Sequence, residues 1–285
     1  MKISIITVVF NDAEHILETM DSVVNQTYEN IEYILIDGKS TDGTKEKIES
    51  YIKNIAHIKA IKSGDDFYLE AQKNDNANFC FKFLSQKDKG IYDAMNKGID
   101  LASGDWCNFM NSGDKFYDNS AIERIFDKYG KWGGAASIIY GDTEIIYDNN
   151  NRKILKSTTT KHKYRHHFIH QAAFIDAKIM KQYKYDTKFK IAGDTDFFTR
   201  CYNNKEAFKH FSEILISFNV EGVSSKLSFL MFREDCAIGF KYNKFFPLMH
   251  FIYYIFWVIP RVITRNIIPS KYRNKARVFF GKKTH

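Results

Sequence analysis

No aspartate or glutamate follows Asp235, although the chain carries 34 of them. Residues 236–285 hold ten of the 42 lysines and arginines, so residues 1–235 set 32 cations against 34 acids and the net charge of +8 belongs to the C-terminal end. A nucleic-acid binder of this size more often spreads a basic stripe over its fold, so no nucleic-acid partner is expected, and the asymmetry points to an anionic surface met by one end. Cys80, Cys107, Cys201 and Cys236 form no CxxC pair, which argues against a zinc site or a disulfide framework and fits a reducing, cytoplasmic setting. Met1-Lys2 leads straight into a strand pattern without an h-region, so no secretory signal is expected. No run reaches the roughly eighteen apolar residues of a spanning helix. Neither GxGxxG nor GxxxxGK[ST] occurs, which weakens NAD-binding and P-loop readings.

What is present suits one large α/β domain. Of 285 residues, 44% are hydrophobic, enough for a sizeable core. Lys2 to Phe10 is a nearly continuous β-branched run, as a central parallel strand requires. Ile16, Leu17, Met20, Val23 and Val24 then form a helical stripe, and Ile31 to Ile36 a second buried strand, so a right-handed crossover is expected. Residues Ala56 to Asn78 are less regular: short strands are expected around His57 to Ile61 and Phe79 to Leu84, with Ser63 to Asn78 an irregular excursion. Asn119 to Tyr129 reads as a helix, and Ser137 to Tyr147 with Lys153 to Thr159 as a hairpin.

Four stretches carry candidate chemistry. The first runs from Phe83 to Asp114: a helix after Gly90, a short buried strand from Trp106 to Met110, and the polar turn Asn111-Ser112-Gly113-Asp114. Ligands of open α/β sheets sit beyond the carboxyl ends of strands, which places Asp114 to meet a metal or a phosphate; the alternative is an ordinary Ser-Gly-Asp turn. The second is the loop from Asp37 to Thr44, where Asp37 can accept from a base imino group or a ribose hydroxyl, while Ser40, Thr41 or Asp42 can equally cap the next helix. In the third, Lys161 to Gln171, the spacing of His162, His166 and His170 would put three metal ligands on one helical face. A basic loop facing a diphosphate suits its cations better. The fourth is Ala192-Gly193-Asp194-Thr195-Asp196, two carboxylates at a helix start, where either the helix N-terminus alone explains them or one serves as a base.

The order VVFN, IDGKSTDGT, KGIYDAMNKGI, SGDW, MNSGD, HQAAFI and AGDTDFFTR resembles family 2 glycosyltransferases of the GT-A fold, especially bacterial polysaccharide and colanic-acid-type assembly members, over about residues 2 to 225. The resemblance implies a Rossmann-like α/β fold with a mixed central sheet flanked by helices. It implies a nucleotide-sugar donor, usually a UDP-sugar, with a divalent metal, Mn2+ or Mg2+, on the diphosphate, and transfer with inversion to a hydroxyl. By position, Thr7, Val9 and Asn11 would lie by the nucleotide, Asp37 would contact base or ribose with Ser40 beside it, and Gly90, Asn96, Lys97 and His170 would complete the donor site. Asp114 would be the metal ligand and Asp194 the general base. Gly193 stands where the family's glutamate usually is, Asn111 and Gly113 where further acids often are, and Met95 where an arginine often is. The absence of QxxRW implies one sugar added per encounter. The alternatives are a sugar nucleotidyltransferase, whose usual glycine-rich N-terminal loop is missing, and a non-catalytic nucleotide-sugar-binding protein.

These readings divide the chain into a catalytic domain, 1–235, and an aromatic, basic helical tail, 236–285. Leu248 to Ile259, bounded by Pro247 and Pro260, would span about 18 Å as a helix, short of the roughly 30 Å hydrocarbon core. The tail is therefore expected to lie in the headgroup region of an anionic membrane, on the cytoplasmic face of the inner membrane, where a lipid-linked saccharide presents its hydroxyl. The alternative is packing on the catalytic domain or on a second copy in an oligomer.

Overall fold

The computed structural model describes residues 1–148, 150–158, 164, 166–219 and 228–280, with backbone only for 219, 265, 266, 270, 271, 273, 279 and 280. Strand β1 (Ile3–Val9) and strand β2 (Ile31–Asp37) are buried at every position and pair in parallel, Ile3 opposite Ile31 and Val9 opposite Asp37. Burial on both faces selects the β-branched run seen in the sequence. Helix α1 (Ile16–Val24) joins them and turns Ile16, Met20, Val23 and Val24 inward. Helix α2 (Thr44–Ile55) leads to β3 (Ala56–Lys62), β4 (Phe67–Lys73) and β5 (Cys80–Ser85), an antiparallel meander whose last strand runs parallel to β2. Strand β4 corrects the expected irregular excursion from Ser63 to Asn78. Phe67, Leu69 and Ala71 alternate inward with half-buried Tyr68 and Glu70, a period-two signal carried by one face of the strand only.

Helix α3 (Ile91–Leu101) lies close on β1, because a Cβ at Gly98 would sit 2.5 Å from Ile6 Cγ2. Strand β6 (Trp106–Phe109) then pairs in parallel with the other edge of β1. Strand β7 (Lys115–Phe116), helix α4 (Ala121–Trp132) and the hairpin of β8 (Ile138–Asp148) and β9 (Asn151–Leu155) follow. Next come β10 (Ala173–Asp176), α5 (Ala177–Tyr183), α6 (Gly193–Asn203) and β11 (Phe208–Asn219). The sheet order is β3-β4-β5-β2-β1-β6-β10-β8-β11-β7, with β9 on β8. Its centre is parallel and its flanks are mixed, the α/β architecture expected from the sequence. Ile16, Met20, Ile48, Ile52, Ile122 and Ile125 cover one face, and Met95, Ile99, Met180, Phe197, Phe198 and Ile238 the other.

Helix α7 (Phe229–Phe240) packs through Glu234, Asp235, Ile238 and Gly239, with Ile238 in the core of one sheet face, so position 235 falls inside a helix that belongs to the α/β body. Helix α8 (Phe246–Tyr253), a π-helical turn (Tyr254–Val258) and helix α9 (Ile259–Ile267) follow without a break, and α10 (Ser270–Phe280) ends the described chain. Phe246–Thr264 forms one helix of 19 residues with a mean hydropathy of 1.4, long and apolar enough to cross a membrane by length and composition, and of its side chains only His250 is buried. That corrects the expectation that no run is long enough and that Pro260 ends a twelve-residue segment. Pro260 lies inside this continuous helix, directly after the π-helical turn, and that wider turn opens the helix where the ring would otherwise clash. Both ends of this helix return to the same body. Phe246 packs on Gly239, while beyond α9 the Asn274 amide donates to Tyr147 O at 3.2 Å and Asp148 Oδ2 at 2.8 Å, and Arg277 lies over the Tyr147 ring.

Glu32 is the one acid inside β2's buried run before its end, and it is fully buried. Its carboxylate accepts from Lys82 Nζ at 2.7 Å, Lys2 Nζ at 3.3 Å, Ser4 Oγ at 2.7 Å, and Ser103 N and Oγ at 2.7 Å each. Burial pushes the carboxyl upward, but the Lys82, Ser103 and Ser4 bonds together outweigh it and hold the group at about 2. A carboxylate held below its unfolded value of 4.5 stabilises the fold above that pH and loses its contribution as pH falls toward 2. Glu32→Gln should therefore lose up to about 3 kcal/mol at pH 7, with the gap from wild type narrowing steadily below pH ~4.5. Urea melts at pH 7 and pH 3 check this; a gap independent of pH would show that the charge contributes nothing.

Candidate active site

The carboxyl ends of β2, β1 and β6 lie side by side, and the loops that leave them are laced together. Asn11, in the left-handed region at φ 51°, accepts the Thr41 N–H at 2.8 Å and donates its own N–H to Ser40 Oγ at 2.8 Å. Asp12 takes the Ser112 hydroxyl from the β6 loop at 2.6 Å and donates its N–H to Thr44 Oγ1 at 3.0 Å. Asp42 accepts from Ala13 N and from Thr44, so it closes the loop just ahead of α2, whose N-cap is Gly43 rather than Ser40, Thr41 or Asp42. Asp37 is fully buried, with its carboxylate accepting Ser40 N at 3.1 Å and Ser85 Oγ at 2.6 Å.

Several residues expected at the donor site hold this frame. Thr7 is fully buried, donating to Met110 O at 2.7 Å and sharing a bond with Tyr33 OH at 3.0 Å, and Val9 is a core residue at the strand end. Gly90, at φ 126°, starts α3 and gives its N–H to Asp88 Oδ1. Asn96 clasps the backbone of Tyr185 through both amide atoms, 2.9 Å each, and Lys97 donates to Lys87 O at 2.7 Å and lies 3.7 Å from Asp93. Their side chains are thus engaged with the fold itself. His170 departs further from expectation. It sits in a 3-10 turn (His170–Ala172) among Phe109, Tyr185 and Phe198, with Nε2 2.8 Å from Tyr185 OH. Burial pulls it down to about 4 although Asp194's charge works the other way, so at neutral pH it brings no positive charge to a phosphate. The helical face proposed for His162, His166 and His170 is not realised either: His166 lies outside any helix, and His162, like Lys161, Lys163 and Arg165, falls outside the described residues.

The turn after β6 presents Asp114. Gly113, at φ 90°, donates its N–H to Thr19 Oγ1, and Thr19 Oγ1 donates to Asp114 O at 2.8 Å, which fixes the turn on α1. Asp114 Oδ2 accepts the Gln171 amide at 2.6 Å. Burial pushes the carboxyl up to about 7, only partly offset by that bond. Asn111 Oδ1 is buried without a hydrogen-bond partner among the described residues. Among the described residues no group of three His, Cys, Asp or Glu could hold a metal, so any ion here would take most of its ligands from a bound molecule. A carboxylate and outside phosphate oxygens are the kind of oxygen ligands that Mg2+ accepts, and both Asp114 and Asn111 belong to this turn.

Asp194 and Asp196 open α6 and have opposite fates. Asp196 is fully buried and paired twice, with Arg200 Nε at 2.7 Å and Lys241 Nζ at 2.8 Å. The Asp194 side chain keeps 29% of its surface, takes Thr195 N–H on Oδ1 at 2.7 Å, and has His166 Nε2 3.9 Å from Oδ2. Its charge reaches Tyr92, Tyr185 and His170, the cluster that Gln171 links to Asp114. The family's glutamate has no room at Gly193, where a Cβ would lie 2.6 Å from the Tyr92 ring. Sequence reasoning missed Gln171 and Tyr185; the HQAAFI motif contains the first, while nothing local marks the second.

The profile of Glycosyl transferase family 2 matches residues 4–203. A PGL/p-HBAD biosynthesis glycosyltransferase of Mycobacterium bovis is 27% identical over 215 residues, 75% of each chain. The solved structure of S. aureus TarS 1–349 in complex with UDP-GlcNAc superposes with a TM-score of 0.64 at 15% identity, covering 96% of this chain and 78% of that one. The mannosyltransferase PcManGT of Pyrobaculum calidifontis, in complex with GDP-Man and Mn2+, does so at 0.55 and 14%, covering 79% and 58%. The profile spans more than half of the chain and the fold is that of the GT-A neighbours, so this chain belongs to glycosyl transferase family 2.

Proposed function

We propose that the protein moves one sugar from a UDP-sugar to a hydroxyl of a lipid-linked saccharide, inverting the anomeric centre in a single displacement, in surface polysaccharide assembly. The observation that carries this reading is the division between two neighbouring acids: Asp196 is consumed by Arg200 and Lys241, while Asp194 keeps an exposed edge at a helix N-terminus. Asp194 takes the acceptor hydroxyl's proton as that oxygen attacks the anomeric carbon, and the bond to the diphosphate breaks on the opposite face with its electron pair leaving on the diphosphate. The partly positive start of α6 and the Thr195 N–H hold the carboxylate in place. The UDP-GlcNAc complex of TarS supports a UDP-sugar donor. Asp114 and Asn111 Oδ1 would hold a divalent cation, which when bound neutralises charge on the leaving diphosphate; the Mn2+ complex of PcManGT supports this.

The helix Phe246–Thr264 supports docking on the cytoplasmic face of a membrane. Leu248, Met249, Phe256 and Trp257 are 56–70% exposed, and the chain beyond it carries cations without acids, a composition that suits an anionic leaflet. Because α7 before it and α10 after it pack on the same body, the helix lies along the surface: a crossing helix would separate its two ends by the bilayer.

Three outcomes follow from this reading. Asp194→Asn should leave UDP binding intact and lower kcat by roughly a hundredfold or more, while Asp196→Asn should lower thermal stability through loss of a buried pair; the reverse pattern in steady-state kinetics and melting curves would exchange the two roles. Asp114→Ala should make UDP binding by calorimetry indifferent to manganese, and an unchanged metal effect would place the cation elsewhere. Replacing Phe256 and Trp257 together by serine should abolish sedimentation with vesicles of anionic lipid but leave nucleotide binding unchanged; equal sedimentation with wild type would refute docking through this helix.

A further inference from the structure

Glu234 comes from α7, some forty residues after the base, and is 5% exposed. Its carboxylate accepts three consecutive backbone donors: Lys190 N at 2.8 Å on Oε1, and Ile191 N at 3.0 Å and Ala192 N at 2.9 Å on Oε2. These residues form the segment that enters α6 immediately before Gly193 and Asp194. The same segment is held on its carbonyl side by Tyr92, whose hydroxyl donates to Ile191 O at 2.6 Å, and by the Asp196 N–H, which reaches Ala192 O at 2.9 Å. Just past the end of α7, Lys241 grips Asp196 on the other side of the base. Charge-assisted bonds from a carboxylate to aligned amides are short and strong, and a chain of three fixes the direction in which the helix starts. No other acid among the described residues accepts three consecutive backbone amides.

We propose that Glu234 is a positioning residue for sugar transfer: it sets the backbone from Lys190 to Ala192 and thereby aims the Asp194 carboxylate at the acceptor hydroxyl. The proposal rests on Asp194 being the base. Glu234→Gln replaces one acceptor oxygen by an NH2 that faces backbone N–H groups, so the segment must shift. A displacement of about 1 Å at a reacting group costs up to a hundredfold in rate. The donor site, built on the ends of β1, β2 and β6, stays in place.

The test is a cycle of Glu234→Gln and Asp194→Asn in the full chain, with kcat, the KM for the UDP-sugar and calorimetric UDP affinity measured well below each melting temperature. Glu234→Gln is expected to lower kcat about tenfold to a hundredfold at unchanged KM and UDP affinity. In the Asp194→Asn background it is expected to cause no further loss, since residues that act as a unit are not additive. An equal loss in both backgrounds would make Glu234 a purely structural residue and overturn the proposal. Wild-type turnover in Glu234→Gln beside a crippled Asp194→Asn would overturn it while leaving the base assignment standing. Near wild-type turnover in Asp194→Asn would remove the base assignment and the proposal together. Should Glu234→Gln not fold, Glu234→Asp, which withdraws the carboxylate by one methylene, carries the same cycle.

Discussion

Three parallel strand ends, fully buried and side by side, set the terms for everything around the site. The loops that leave β2, β1 and β6 carry backbone donors that have no partner in the sheet, and in this chain they find partners in one another: Asn11 with Thr41 and Ser40, Asp12 with Ser112 and Thr44, Asp37 with Ser40 and Ser85. Buried polar groups have to be satisfied this way. The result is a floor in which buried Asp37, Thr44 and Ser85 anchor more exposed loop residues such as Asn11 and Thr41.

The acids sort themselves by what they touch. Glu32, Asp37 and Asp196 are enclosed and saturated, and each fixes elements far apart in sequence. Asp114 and Asp194 differ. The first has one oxygen held by a neutral amide and is pushed toward neutrality by burial; the second keeps solvent access at a helix start. Groups whose environments pull them in different directions are where acid-base and ligand chemistry is found.

Much of this was legible beforehand because it is local. The strands β1, β2 and β6 and the helices α1 and α3 announce themselves by period, and Asp114 and Asp194 by their place just past a strand and at a helix start. What was missed depends on contacts across the chain. Strand β4 alternates cleanly, but it lies in a polar stretch and shows only three inward residues, Phe67, Leu69 and Ala71. The continuity of the helix through Pro260 follows from a π turn that composition does not encode. That Asp196 is held in two buried ion pairs depends on Arg200, four residues on and visible, and on Lys241, forty-five residues on and invisible. For Asn96, Lys97 and His170, expected at the donor site, the hydrogen-bonding partners Tyr185 and Lys87 are set by tertiary packing and have no local signal in the sequence.

Gly193 against Tyr92 has a consequence for how this chain can change. Any side chain at 193 would drive its Cβ into the aromatic ring, at 2.6 Å from Cε2, and that ring is itself anchored by its hydroxyl to Ile191 O. A glutamate therefore cannot enter beside Asp194 by one substitution; Tyr92 would first have to shrink, and shrinking it alone releases the segment that carries the base. The two positions are therefore sterically coupled: a side chain at 193 requires a smaller residue at 92, and a smaller residue at 92 gives up the hydroxyl that holds Ile191 O.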